Sequence, residues 1–174
     1  MKTFNKNIQT IISEHNNIIL NELFDYTPED IQKAVIDKDN NLNIEYSFHI
    51  NKKLYQVDFI INKQTKSVKF SFALLEREDE NEEVHPLGIT RTGDSALVFG
   101  AVANIFKQFI SEYSSRFDKV VFLGSKKDIS RIKLYDRFSR NSWLNSIFDV
   151  DIRDDNDVKY YTLIKKSHDD INNI

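Results

Sequence analysis

A mixed α/β domain is the fold class this sequence predicts: N-terminal helices, a three-strand antiparallel meander, a central helix, a parallel strand, a helix and a C-terminal hairpin. Three observations carry the prediction. Between residues 44 and 74 apolar side chains fall at alternate positions in three runs split by short polar turns, the signature of antiparallel strands with one buried face. Residues 94–113 hold a wide apolar stripe at helical spacing. Lys119 to Gly124 is a continuous apolar run ended by glycine, which after a helix reads as a buried parallel strand.

The elements follow in order. Ile8, Ile11, Ile12, Ile19 and Leu23 fit a helix over residues 5–24. Thr27-Pro28-Glu29-Asp30 reads as a second helix start, with Thr as cap, Pro at the first helical position and acids at the positive dipole end. Ile31 and Val35 would give that helix an apolar side, and Asp37 to Asn41 is a polar turn. The meander alternates through Ile44, Tyr46, Phe48 and Ile50, then Tyr55, Val57, Phe59 and Ile61, then Val68, Phe70, Phe72 and Leu74. Glu76 to Glu83, with six acids and one Arg, reads as a solvated loop. Leu87 to Thr90 is a candidate short strand.

Gly93-Asp94 opens the central helix, with Asp94 as its N-cap. Val98, Val102, Ile105 and Phe109 form its stripe, widened by Phe99, Phe106 and Ile110. Ser125 to Asp128 turns the chain into a helix from Ile129 to about Trp143, which packs through Ile132, Leu134, Tyr135 and Phe138. Phe148 to Ile152 and Val158 to Ile164 alternate on either side of an Asp-rich turn and form the terminal hairpin. The whole reads as one domain over residues 1–174: a helical lead (1–41), an α/β core (42–165) and a frayed tail (166–174).

Composition narrows the function classes. The chain has no Cys, which excludes disulfides, zinc–thiolate sites, iron–sulfur clusters and thiol nucleophiles. Its net charge of −3 argues against a nucleic-acid partner. No apolar run is long enough to span a membrane. The four His are scattered with no metal-ligand spacing, so no metal site is expected; His49 falls on the polar face of a strand. There is no P-loop, dinucleotide fingerprint or nucleophile elbow. The opening residues lack a leader pattern, so the expected location is cytoplasmic, or the host cytoplasm or virion for a phage protein. Abundant Asn, Ile and Lys, all with AT-rich codons, point to a low-GC bacterium or its phage.

The order of elements over residues 43–165 resembles the GCN5-related N-acetyltransferase (GNAT) fold. In that family a strand meander leads into a phosphate-cradling helix, and a strand, a second helix and two strands follow. The stretch Gly88-Ile-Thr-Arg91-Thr-Gly93-Asp-Ser95-Ala96 occupies the place of the family's Q/R-x-x-G-x-G/A loop. There, backbone N–H groups at a helix entrance hold the coenzyme A pyrophosphate. The resemblance implies a coenzyme A thioester as cofactor, with Arg91, Thr92, Gly93 and Ser95 as its contacts. The spacing departs from the family's: Arg91 is one residue too close to Gly93, and the next small residue falls at Ala96.

Arg131-Ile-Lys-Leu134-Tyr135 resembles the family's A/R-x-x-L-Y stretch, without the Gly-Phe that usually follows. It implies Tyr135 as the acid that protonates the leaving thiolate, because a phenol is neutral at pH 7 and can donate. The competing reading packs Tyr135 against the sheet. Glu76, at the end of the third meander strand, is the implied base. Residues 131–140 and 90–102 also resemble segments of small uncharacterised phage-encoded proteins.

Two functions follow from this frame. One is an acyl-coenzyme A-dependent N-acyltransferase. The other is a non-catalytic phage or low-GC bacterial accessory protein that binds a protein partner, or another copy of itself, through the same fold. Lys126, Lys127, Arg131, Lys133, Arg137 and Arg140 form a basic cluster whose ordinary reading is a solvated helix face.

Overall fold

The computed structural model describes residues 26–75 and 95–167. Its strands are β1 (Gln32–Asp37), β2 (Asn41–Ile50), β3 (Lys53–Asn62), β4 (Ser67–Leu74), β5 (Lys119–Ser125), β6 (Phe148–Asp154) and β7 (Val158–Lys165). Its helices are α1 (Ser95–Tyr113), α2 (Ile129–Ser139) and α3 (Ser142–Ile147), with a 3-10 turn at Ser114–Arg116. The strands form one mixed seven-stranded sheet in the order β1-β2-β3-β4-β5-β7-β6.

The meander follows the side-chain alternation of the sequence. Ile44 pairs with Phe59 and Phe59 with Phe70, so the large side chains of β2, β3 and β4 line one face. That face is closed: Tyr46, Phe48, Val57 and Phe59 are fully buried. The β2–β3 turn is Asn51-Lys52, both with positive φ (49° and 65°), as a two-residue type I′ hairpin requires. α1 lies across this face. Phe109 stacks on Phe59 with ring centroids 3.9 Å apart, and Phe106 sits edge-on to Phe70 at 5.4 Å. A helix with Ala101, Ile105, Phe106 and Phe109 all buried is held by packing rather than by propensity.

The structure corrects the sequence reading in three places. The expected helix from Thr27 through Val35 is a turn followed by β1, and the described part of the helical lead, residues 26–41, contains no helix. β1 pairs antiparallel with β2 along its whole length, Gln32 opposite Ser47 through Asp37 opposite Leu42, so the meander has four strands. The acid read as helix-dipole support does other work. Asp30 accepts the His49 backbone N–H at 3.1 Å and pairs with the His49 ring nitrogen. Tertiary pairing outweighs the local start signal.

The second correction is the expected helix from Ile129 to Trp143, which breaks at Arg140. The Asn141 side chain accepts from the N–H groups of Trp143 and Leu144 and starts α3 as a separate helix. The third is Arg131, placed by sequence in a solvated basic face: it is buried, with 5% exposure. Lys133, Arg137 and Arg140 are exposed as that reading expects. The 5–24 helix, the 76–83 acidic loop, the 87–90 strand and the Asp94 cap lie outside the described residues.

Candidate active site

β4 and β5 are the one parallel pair in the sheet, and they pair over three residues: Ser67 with Lys119, Val68 with Val120 and Lys69 with Val121. β4 continues to Leu74 and β5 to Ser125 with no further pairs between them, while β5 stays paired to β7 as far as Ser125. Among the described residues the sheet is therefore open between the carboxyl ends of two parallel strands. It opens where the strand order passes from the meander to the β5-β7-β6 group. Such a point is where open α/β sheets bind ligands.

The floor of this opening is aromatic. Phe72 of β4 and Phe122 of β5 both contact Tyr135 of α2, at centroid distances of 6.0 and 4.9 Å, and Tyr161 of β7 lies 5.5 Å away. α2 can come this close because residue 124 has no side chain. A Cβ built there would stand 2.8 Å from Ile132 Cδ1 and 3.3 Å from the Tyr135 ring. Asp128 caps α2 by accepting the Arg131 N–H at 3.0 Å. One turn before Tyr135 on the same helix face, the Arg131 guanidinium lies over the Phe72 ring, 4.9 Å from its centroid.

Tyr135 is 3% exposed. Burial pushes its phenol up to about 12, the Arg131 charge works against that rise and the Asp128 carboxylate adds to it. The group is held protonated at neutral pH. Among the described residues its hydroxyl makes no hydrogen bond, whereas the neighbouring Tyr161 hydroxyl donates to Asp136 at 2.9 Å. Lys159 also donates to Asp136, at 2.6 Å. Burial opposes ionisation of that carboxyl, but these two hydrogen bonds outweigh it and hold Asp136 below the usual carboxylate range.

Of the sequence-predicted site residues, Tyr135 lies at the strand divergence. Ser95 begins α1 as backbone. Glu76, Arg91, Thr92 and Gly93 lie outside the described residues. Sequence reasoning missed Arg131 and Phe72 as neighbours of Tyr135. A signal for Arg131 was present, since it precedes Tyr135 by four and shares its helical face. Nothing local could place Phe72 there. Among the described residues no group of three or more His, Cys, Asp or Glu could hold a metal ion, and no helix is long and apolar enough to cross a membrane.

The order of meander, helix, parallel strand, helix and terminal hairpin makes the fold GNAT-like. No family model matches the chain, and no curated protein matches it by sequence. Among solved structures it is similar to the Campylobacter jejuni N-acetyltransferase PseH, at 17% identity and a TM-score of 0.41, covering 75% of this chain and 71% of that one. It is also similar to RimL, a ribosomal L7/L12 alpha-N-protein acetyltransferase, at 11% identity and a TM-score of 0.40, covering 72% of this chain and 71% of that one. An acetyltransferase of the GNAT family from Streptococcus pneumoniae matches at 11% identity and a TM-score of 0.37, covering 74% and 69%. Identities this low and superpositions this partial carry no argument about activity. None of these structures bears on the phage-type resemblance.

Proposed function

We propose that the chain is an acyl-coenzyme A-dependent N-acyltransferase whose acyl group sits in the opening between β4 and β5. The observation that carries the reading is the divergence itself: two parallel strands part after three pairs, directly beside a protonated tyrosine whose hydroxyl has no hydrogen-bond partner among the described residues. A thioester supplies an activated acyl group and a thiolate leaving group. Tyr135 supplies the proton that the departing sulfur takes up, and its high proton affinity keeps that proton in place until negative charge develops nearby. Arg131, four residues earlier, places a fixed positive charge over Phe72 at the same opening. The Asp128 carboxylate, 3.4 Å from the Arg131 Nε, offsets part of that charge, and the remainder favours a developing anion there. Phe72 and Phe122 exclude water from the floor.

Support for the cofactor comes from the parting of β4 and β5 beside Tyr135 and from the place of the 91–95 stretch in the sequence, at the start of α1. Glu76 remains the proposed base and Arg91, Thr92, Gly93 and Ser95 the proposed pyrophosphate contacts. The test is acetyl-coenzyme A added to the protein in a thermal melt, with thiol release measured against a panel of amines. A ligand at a hundred times its Kd stabilises by about 2.7 kcal/mol, which for a chain of this size raises Tm by roughly 5–10 °C. No rise at millimolar acetyl-coenzyme A would retire the acyltransferase reading and leave the non-catalytic partner-binding frame.

A further inference from the structure

At the opposite end of β4 a separate cleft of about 260 Å³ is lined by Leu42, Ile61, Lys63, Lys66, Ser115 and Arg116. Its floor is apolar and nearly closed, with Leu42 at 4% and Ile61 at 1% exposure. Its rim is cationic. We propose that this cleft binds a small phosphate monoester carrying a short apolar group.

The charges argue for that ligand. Lys63 is already committed: it pairs with the Asp37 carboxylate and donates to the Lys38 carbonyl at 2.8 Å, which fixes its position. Lys66 and Arg116 form no ion pair with any described acid. Two cations without an acid partner among the described residues match the charge of a phosphate monoester, which is close to −2 at neutral pH. The Arg116 guanidinium offers the planar fork that phosphate oxygens fill two at a time. The Ser115 hydroxyl adds a donor. Leu42 and Ile61 give an apolar substituent a surface to cover, and the volume lies just below the range of drug-sized sites.

The backbone builds the rim. The β3–β4 turn is organised by Asn62, whose side-chain oxygen accepts the N–H groups of Gln64 and Thr65 at 3.1 and 2.8 Å. Lys66 then takes a left-handed conformation with φ 47°. Its carbonyl accepts the Asp118 N–H at 2.8 Å, which ties this turn to the entry of β5. The cleft therefore lies beside the turns that lead into the same two strands that part near Phe72. At about 3.3 Å per strand residue, the two sites are roughly 20 Å apart along β4.

The left-handed position makes a clean test. Glycine adopts that conformation without strain, so Lys66→Gly removes the charge and keeps the turn. Butyl phosphate is titrated into the isotope-labelled full chain at low ionic strength, and amide shifts are followed by NMR. The expected result is saturable shifts at residues 63–66 and 115–118 with a Kd of about 1 mM or tighter. Lys66→Gly and Arg116→Ala should each weaken binding about tenfold or more. Inorganic phosphate should bind several-fold more weakly, because it leaves Leu42 and Ile61 uncovered. Absence of saturable shifts at these residues, affinity unchanged in both variants, or equal affinity for phosphate and butyl phosphate would each overturn the proposal. Because the readout is local to residues 63–66 and 115–118, it is independent of acetyl-coenzyme A binding near Phe72.

Discussion

Gly124→Ala puts one methyl group into the tightest contact between the sheet and α2. The added carbon would stand 2.8 Å from Ile132 Cδ1, and 3.3 and 3.5 Å from Cδ2 and Cε2 of Tyr135. Carbon atoms at rest sit about 3.5–4.0 Å apart. The Ile132 contact involves the far end of a partly exposed side chain, which can rotate away at little cost. The Tyr135 ring cannot move as freely, since Phe72, Phe122 and Tyr161 surround it at 6.0, 4.9 and 5.5 Å. Overpacking of this kind costs about 1–3 kcal/mol. The φ of Gly124 is not left-handed, so alanine fits the backbone and restores roughly 0.4–1 kcal/mol by restricting the unfolded chain. The net expectation is a destabilisation of about 0.5–2 kcal/mol. Urea unfolding should show a lower midpoint with an unchanged slope. Near-UV circular dichroism should change as Tyr135 shifts. A midpoint equal to or above that of the parent, with an unchanged aromatic spectrum, would refute the close approach of α2 to β5.

Tyr135→Phe deletes a hydroxyl that makes no hydrogen bond among the described residues, so the unfolding free energy from urea titration should stay within about 0.5 kcal/mol of the parent. The same variant should lower acyl transfer about 10²-fold or more while keeping the acetyl-coenzyme A melting shift; a fall in stability with unchanged turnover would assign Tyr135 to packing alone. Lys33 pairs with Glu112 and lies over the rings of Tyr113 and Tyr46, at 4.9 and 5.5 Å. Lys33→Ala should therefore cost roughly 1 kcal/mol and speed hydrogen exchange in β1 ahead of β3, and uniform exchange would show that Lys33 does not hold that edge. The His49 backbone N–H, followed by the His49 ring, holds Asp30 below its usual 3.8. Because the folded value is depressed, the contribution is present above pH 3.8 and is lost as pH falls through the folded value. Asp30→Asn should flatten the fall of Tm with pH in that acid range, and parallel curves for parent and variant would contradict the pairing.

The meander was legible because its alternation is strict and one face is closed: Tyr46, Val57 and Phe70 can all point inward in only one register. α1 was legible because its apolar stripe runs for five turns, and β5 because a glycine-ended apolar run has few other uses. β1 was not. Its six residues are all exposed, so no alternation marks it, and the Thr-Pro-Glu-Asp start signal before it was stronger than its own pattern. Its identity as a strand comes from the edge of β2, a partner local sequence does not see. The α2–α3 break was hidden for a related reason, since Asn141 fits mid-helix by composition and shows its capping role only through the N–H groups it accepts.

Tyr135 was legible as a candidate through the Leu-Tyr pair, and its packing against the sheet was legible from its helical spacing. The opening beside it was not, because the length over which two parallel strands pair is a property of their neighbours. Arg131 was misread since one residue within a cluster of six basic side chains looks like surface. Its burial depends on Phe72, 59 residues earlier.

The central claim is that the divergence of β4 and β5 receives the acyl carrier, and titration of acetyl-coenzyme A into labelled protein tests it most directly. Amide shifts should saturate together at residues 70–74 of β4, 122–125 of β5 and 128–135 of α2, with those of β1 and β6 unmoved. Saturable binding that leaves Phe72, Gly124 and Tyr135 unperturbed, or no binding at millimolar ligand, would contradict it.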